Sequence, residues 1–396
     1  MKNILFVDDE PRILSGLLRQ LHGMRREWDM KFVDSGIKAL DFMASRPVEV
    51  IVSDMRMPGM DGAQLLSEVM KRFPHTVRLV LSGQADREAV LRLIGPAHQY
   101  LSKPCDADEL RTAIARALAL RDLLSSDQLK QIASRVKTLP SLPALHKLLT
   151  KELTNEDPSL ERVAEIISKD VGMTTKILQL VNSAFFGLPQ PAAKPLDAVF
   201  YIGLVAIRAL VLSLHVFSEF DESTIKGFSV GALARHGWIT GLTAKKIAEM
   251  EQSGEPMDNQ CFLAGLLHDV GKLILAAGLP SQYERVLKTA QKTSRPLWDI
   301  EREEFGATHA EVGAYLLGLW GLPNPVVEAV ALHHRPSACL AGGLSPAIAV
   351  HVADILIKET NGSAAEPGCE IDQVALTALG LEDRLPLWKQ KCLLNV

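Results

Sequence analysis

No C-x-x-C pair is present, and the five cysteines (Cys105, Cys261, Cys339, Cys369 and Cys392) lie far apart. Neither a zinc knuckle nor a disulfide framework is therefore expected. Aromatic residues are scarce, at 5%, and the abundance of Leu, Ala and Val beside them leans towards helices. No charge sign dominates: 43 basic residues face 47 acidic ones, for a formal net charge of −4. That balance gives no electrostatic reason to expect nucleic acid or an anionic membrane as the main partner. A helix-turn-helix with a basic recognition helix is also missing, which argues against a transcription factor. No run of 18 apolar residues occurs, and the stretch 206–217 is broken by Arg208 and His215. The N-terminal apolar run meets Asp8-Asp9-Glu10 too soon for a signal peptide. The expectation is a cytoplasmic protein in a reducing compartment, with no nucleic acid and no membrane as partner.

What is present is enough apolar material for more than one core: 47% of 396 residues are hydrophobic, and single cores rarely grow past about 250–300 residues. Short apolar runs at 3–7, 48–53, 77–81 and 98–101 each end at a polar or charged residue. Between them lie segments with helical spacing, such as Gly62–Phe73 behind the capping pair Asp61 and Gln64. Short buried strands alternating with helices predict a doubly wound α/β domain with a parallel five-stranded sheet. In such sheets function gathers at the carboxyl ends of the strands, where Asp8, Asp9, Asp54, Ser82 and Lys103 all fall.

From Asp106 the spacing of Leu110, Ile114, Ala117 and Leu124 is helical. The polar stretch 125–128 follows, then more helix to Val136, so a connector over 124–137 is expected, either one long helix or two with a joint. Beyond 138 helix follows helix, with Asp157-Pro158 expected to open one of them, and the region reads as all-α. The expected layout is an α/β domain over 1–123, the connector, an all-α domain over 138–380 and a tail over 381–396.

Carboxylates converging at strand ends repel one another unless a cation sits among them. Mg²⁺ takes oxygen ligands and keeps several waters, so two carboxylates and a carbonyl suffice to hold it. It can bring a phosphoryl donor to a free carboxylate oxygen and neutralise charge in transfer. Val7-Asp8-Asp9-Glu10, the run Asp54 to Gly62, Leu81-Ser82-Gly83 and Lys103-Pro104 together resemble the receiver domain of bacterial response regulators, over residues 1 to about 123. The resemblance implies that Asp54 accepts a phosphoryl group and that Asp8, Asp9, Asp54 and the Arg56 carbonyl hold Mg²⁺. It implies that Ser82 and Lys103 bind the phosphoryl oxygens and that Tyr100 is the aromatic switch residue. It also implies a cis peptide between Lys103 and Pro104.

Eleven histidines are present. His22, His75, His98, His146, His215 and His351 are assigned to the core or the surface. His236, His268-Asp269, His309, the pair His333-His334, and Asp354 form a different series, in which His268-Asp269 is expected near the end of an apolar helix closed by Gly271. Imidazoles with carboxylates suit Mn, Fe or Zn, and a metal-bound water is a nucleophile for a phosphoester. The order of these residues resembles the HD superfamily of metal-dependent phosphohydrolases. Leu139-Pro140-Ser141-Leu142-Pro143, Ile166 to Asp170, Val181 to Ala184, Gly203 with Arg208, Gly265 to Asp269 and Trp320 to Pro323 narrow the resemblance to the HDOD family, over about 138–380. The related HD-GYP phosphodiesterases carry Gly-Tyr-Pro after the paired histidines; here the pair runs into Arg335-Pro336-Ser337.

HDOD domains are mostly signalling or scaffolding modules, yet every HD-type ligand position here keeps a ligand residue. Helix packing, a structural metal and hydrolysis are all compatible with that retention, with Lys272 and Arg335 available to bind phosphate. The chain thus looks like a response regulator: a sensor histidine kinase phosphorylates Asp54, and an HDOD output domain acts through contacts with a second copy (a homodimer) or a downstream signalling protein. The alternative is a receiver-gated, metal-dependent phosphohydrolase of a nucleotide or cyclic dinucleotide.

Overall fold

The computed structural model describes the chain apart from residues 84–95, 104, 125, 137–139, 142, 156, 183–191, 205–206, 208–217, 220–224, 226, 294, 339–342, 361–369 and 394–396. Pro104 with its expected cis bond, Leu139, Leu142, Ser183, Ala184, Arg208 and the side chain of Ser82 lie outside the described residues. The chain forms two compact units, one centred on Met1–Lys137 and the other made of most of the remainder.

The first unit runs β1 (Lys2–Val7), α1 (Pro11–Gln20), β2 (Trp28–Val33), α2 (Gly36–Ser45), β3 (Val50–Asp54), α3 (Gly62–Arg72), β4 (Val77–Gly83), β5 (Gln99–Lys103), α4 (Ala107–Leu123) and α5 (Asp127–Arg135). Its strands form one parallel sheet in the order β2-β1-β3-β4-β5. Every residue of β3 and the last four of β1 are buried, as a sheet covered on both faces requires. The winding direction reverses between β1 and β3, and that is where a crevice opens at the carboxyl ends of parallel strands. Asp8 follows β1 and Asp54 ends β3 on the two sides of this point.

Local capping sets where the helices begin. Asp61 and Gln64 form a reciprocal capping box at the start of α3, with Gln64 N–H donating to Asp61 Oδ1 at 2.8 Å and Asp61 N–H to Gln64 Oε1 at 3.1 Å. Asp106 caps α4. The chain is extended at Leu124, and Ser126 caps α5 with its hydroxyl 3.4 Å from the Leu129 nitrogen. Of the two arrangements open for the connector, two helices with a joint is the one observed.

The second unit contains α6 (Pro143–Thr154), α7 (Leu160–Ser168), α8 (Val171–Val181), α9 (Pro195–Ile202), α10 (Val230–Met250), α11 (Glu255–Leu267), α12 (Val270–Gly278), α13 (Pro280–Thr293), α14 (Leu297–Phe305), α15 (His309–Leu319), α16 (Asn324–Leu332), α17 (Pro346–Thr360), α18 (Gln373–Leu379) and α19 (Leu385–Leu393). A parallel pairing of the two-residue strands Pro140–Ser141 and Ser218–Glu219 is the exception to its helical character. The cap of α7 is Ser159, not Asp157 as the Asp-Pro pair suggested: the Ser159 hydroxyl accepts from Arg162 N–H at 3.2 Å.

Helices α10, α11 and α17 pack on one another as the centre of this unit. The α10–α11 contact is a backbone-to-backbone approach, since a Cβ on Gly265 would lie 2.6 Å from the Gly241 Cα. From Pro346 to Ile357 every residue of α17 is buried, as expected of a helix apolar on all sides. The stretch 381–396 is more than a tail over its described part: α19 docks on α10 and α17, with Trp388 fully buried. Among the described residues one segment, Glu255–Gly278, has the length and apolarity of a membrane span, but its most apolar window is 78% buried and it breaks at His268-Asp269.

Candidate functional site

At the carboxyl edge of the sheet, three charged side chains meet. The Lys103 ammonium lies 2.7 Å from Asp8 Oδ2 and is paired directly with Asp54 Oδ1. Register brings it there: Lys103 ends β5 opposite Gly83 of β4, and Asp54 ends β3 opposite Leu81. Main-chain amides occupy the other oxygens, with Glu10 N–H donating to Asp8 Oδ1 at 2.9 Å and Arg56 N–H to Asp54 Oδ2 at 2.8 Å. Burial raises the Asp54 carboxyl above the ordinary range, against the opposing pull of Lys103. Burial also works against the Lys103 charge, but its bonds to Asp54 and Asp8 hold the ammonium above its usual value. Asp9 is half-buried beside Asp8, and Tyr100 is buried on β5, its phenol pushed up by desolvation. The arrangement is an acidic pocket whose single described cation can be displaced by, or shared with, an anionic group placed on Asp54.

The second cluster forms where the middle helices of the all-α unit converge. His236 comes from α10, His268 and Asp269 from the break between α11 and α12, His309 from the first turn of α15, His333-His334 from the end of α16, and Asp354 from α17. The structure brings all seven together in overlapping groups (His236, His268 and Asp354; His268, Asp269 and His333; His309, His333 and His334), and within each group the ligand atoms lie within 4.8 Å of one another.

The local causes are readable. The helix that was expected to end at Gly271 ends at Leu267 instead; His268-Asp269 forms a corner and Gly271 lies inside α12. Gly271 is needed for close approach: a Cβ there would sit 1.8 Å from the His309 carbonyl oxygen. His309 is set at the start of α15 by a Thr308–Glu311 capping box, in which Thr308 N–H donates to Glu311 Oε2 at 2.9 Å and Glu311 N–H to Thr308 Oγ1 at 3.3 Å.

Two imidazoles are oriented by main-chain carbonyls. His268 Nδ1 bonds Gly265 O at 2.7 Å and His333 Nδ1 bonds Val330 O at 2.8 Å. A carbonyl only accepts, so each Nδ1 is the donor and each Nε2 of the neutral ring keeps its lone pair for the centre. These two Nε2 atoms are buried with no hydrogen-bond partner among the described residues. Such orphaned atoms cost about 1–3 kcal/mol each, a cost that a cation among them removes. His309 and His334 face each other at 2.9 Å through their Nε2 atoms. Despite burial, Asp269 is held well below the usual carboxylate range by His268 and Lys272, and Asp354 by Lys358 and His236. Burial drives His333 and His334 well below the usual histidine range. Against burial, Glu301 holds His309 above the usual histidine range, so an ion there would displace a proton from that ring. The anionic carboxylates and the neutral His333 and His334 are in the states that ligation requires, and the donor set fits a transition-metal ion such as Mn²⁺, Fe²⁺ or Zn²⁺.

Lys272 reaches Asp269 Oδ2 at 2.8 Å, at the edge of the cluster. Arg335 is exposed, and its guanidinium sits 5.8 Å over the Trp298 ring instead of entering the cluster. Sequence reasoning missed several supports: Glu301 behind His309, Lys358 at 2.9 Å from Asp354 Oδ2, and Trp298 stacked on His334. His351, assigned to the core or the surface, is buried and ties its Nδ1 to the His333 carbonyl at 2.7 Å. The Thr308-x-x-Glu311 pattern was the one available sequence signal for this region.

A family model described as "HDOD domain" matches residues 139–336, and one described as "Response regulator receiver domain" matches residues 4–115. Among curated proteins, the chain is 27% identical over 207 residues to an uncharacterized protein of Treponema pallidum, covering 52% of this chain and 39% of that one. It is 36% identical over 122 residues to the hydrogenase transcriptional regulatory protein HoxA of Cupriavidus necator, covering 30% and 25%. To the DNA-binding transcriptional regulator NtrC of Escherichia coli it is 33% identical over 114 residues, covering 28% and 24%. The matched regions thus span between a quarter and two fifths of these relatives. Among solved structures, the MmoQ response regulator from Methylococcus capsulatus aligns with a TM-score of 0.50 at 26% identity, over 63% of this chain and 98% of that one.

Proposed function

This chain belongs to the response regulators that join a receiver domain to an HDOD domain, and on that premise we propose that phosphorylation of Asp54 by a sensor histidine kinase controls the contacts made by the HDOD domain. The observation that carries this reading is Lys103 held between Asp8 and Asp54 at the topological switch point. Asp8, Asp9, Asp54 and the Arg56 carbonyl would hold Mg²⁺, which when bound supplies charge neutralisation for phosphoryl transfer. Asp54 offers the nucleophilic oxygen. Lys103 pairs with that oxygen beforehand and with the phosphoryl oxygens afterwards, with the Ser82 hydroxyl as a further partner. Tyr100 and α4 then relay the change across the joint at Leu124 into α5.

Acetyl phosphate with Mg²⁺ is expected to add one phosphoryl group to the intact mass of the chain, and Asp54→Asn to abolish the addition. Equal labelling of the Asn variant would refute the assignment.

For the HDOD cluster, the reading is a bound transition metal, held by residues drawn from His236, His268, Asp269, His309, His333, His334 and Asp354. The orphaned Nε2 atoms of His268 and His333 support it. The same complete ligand set supports a second reading, a metal-dependent phosphohydrolase, but a hydrolase also needs donors aimed at the charge that develops in the transition state. Arg335 is turned to Trp298 and Lys272 is engaged by Asp269, which favours signalling over turnover. Metal analysis of protein purified without chelator should therefore find bound Mn, Fe or Zn, with little or no hydrolysis of cyclic di-GMP, linear dinucleotides or nucleoside phosphates. Turnover that disappears in His268→Ala would establish the enzyme instead.

A further inference from the structure

Behind His309, on the side away from the cluster, sits a carboxylate that no part of the preceding reading uses. Glu301, on α14, has no solvent exposure. One of its oxygens, Oε2, takes two hydrogen bonds from the same residue: His309 main-chain N–H at 2.7 Å and His309 Nδ1 at 2.6 Å. The other, Oε1, accepts the Tyr283 hydroxyl at 3.3 Å. We propose that Glu301 is the positioning residue of the metal centre, fixing the ring of His309 so that Nε2 is presented as a strong donor to the ion.

The inference rests on the cluster being a metal centre, and the geometry supplies the rest. An ionised carboxylate can only accept, so Nδ1 must be the donor and the Nε2 lone pair is turned inward. There it lies 3.2 Å from Asp269 Oδ1 and 2.9 Å from His334 Nε2. His268 and His333 are oriented by neutral main-chain carbonyls; His309 alone among these three is backed by a charge. A carboxylate behind an imidazole both fixes its tautomer and raises the basicity of the opposite nitrogen. Thus the supporting shell is graded, with a carboxylate behind His309 and main-chain carbonyls behind the other two rings.

The competing role is structural: Glu301 also satisfies an amide in the first turn of α15. That helix already has the Thr308–Glu311 box for its start, and a cap needs no bond to the imidazole. The ring bond is what a cap does not explain.

Glu301→Gln separates the two roles. A glutamine oxygen can accept both His309 bonds, and its amide can donate to Tyr283, but the negative charge is gone. Glu301→Ala removes both. Titration of the full-length metal-free protein with Mn²⁺, followed by calorimetry, is expected to show affinity reduced about 10–100-fold in Glu301→Gln, with the melting temperature of the metal-free protein close to wild type. The visible spectrum of the Co²⁺-substituted Gln variant should differ from wild type, because the donor strength of one ligand has changed. Glu301→Ala should lose both affinity and melting temperature. Wild-type affinity and an unchanged cobalt spectrum in Glu301→Gln, with only a lower melting temperature in Glu301→Ala, would make Glu301 a helix cap and overturn the proposal. Wild-type protein that takes up neither Mn²⁺ nor Co²⁺ would overturn the metal-centre reading itself, and this assignment with it.

Discussion

How tightly a buried ionisable side chain holds its proton depends on what surrounds it. Lys103 keeps its charge because Asp8 and Asp54 flank it. Lys176, on α8, is 1% exposed, and desolvation lowers it to about 7 from an ordinary value near 10.5. Between those values the unfolded chain binds a proton that the folded chain does not, so this residue's contribution to stability rises with pH from about 7 to about 10.5. At lower pH both states are protonated, and the folded state binds that proton less tightly than the unfolded chain does. Lys176→Met should therefore raise the melting temperature most near pH 6, and its advantage over wild type should shrink as the pH approaches 10. A pH-independent difference in calorimetric scans would contradict the lowered pKa. Glu301 belongs to the same scale. Its carboxylate was invisible to sequence reasoning because it lies in an acidic run with Glu303 and Glu304, a pattern that reads as a solvated helix face.

At the scale of elements, the start signals of several helices were legible and their ends less so. Asp61 with Gln64 announces α3, since a capping box needs only residues three apart. Asp157-Pro158 misled because Ser159 competes for the same role two residues later and wins the hydrogen bond. The corner at His268-Asp269 had no local signal either. It forms where α11, having packed on α10 through Gly265, turns to let Gly271 meet the His309 carbonyl, a contact between segments nearly forty residues apart. The C-terminal helix α19 is a further case, held by Glu251 Oε1, which accepts from Trp388 Nε1 at 2.8 Å and Arg384 Nε at 2.9 Å. It packs on α10 and α17, the helices that carry His236 and Asp354. Trp388→Ala is expected to cost about 3–5 kcal/mol in urea denaturation of the second unit. A loss under 1 kcal/mol would mean that α19 contributes little to holding those two helices.

For the whole molecule, the proposed function requires that a change at the carboxyl edge of the sheet pass into the helical unit. The joint at Leu124 and the cap at Ser126 separate α4 from α5, and hinges are typically a few residues at the ends of elements. Beryllofluoride, a phosphoryl mimic, should therefore change either the oligomeric state or the rate of proteolytic cleavage within residues 120–137. Identical scattering profiles and cleavage patterns with and without the mimic would argue against control by the receiver.

The parallel sheet with its helices and the all-α region that follows it could be read from the chain alone. Burial alternating with helical spacing is a local property, and a strand end lies where an apolar run stops. Which atoms of the histidine cluster face one another was decided only in three dimensions. Main-chain carbonyls at Gly265 and Val330 choose the tautomers of His268 and His333, and Glu301 chooses that of His309. A proton on an imidazole is placed by the acceptor nearest to it. Here the Glu301 acceptor comes from a different helix, and the two carbonyls lie one turn back along the helices leading to their own histidines, a position that composition and spacing do not reveal.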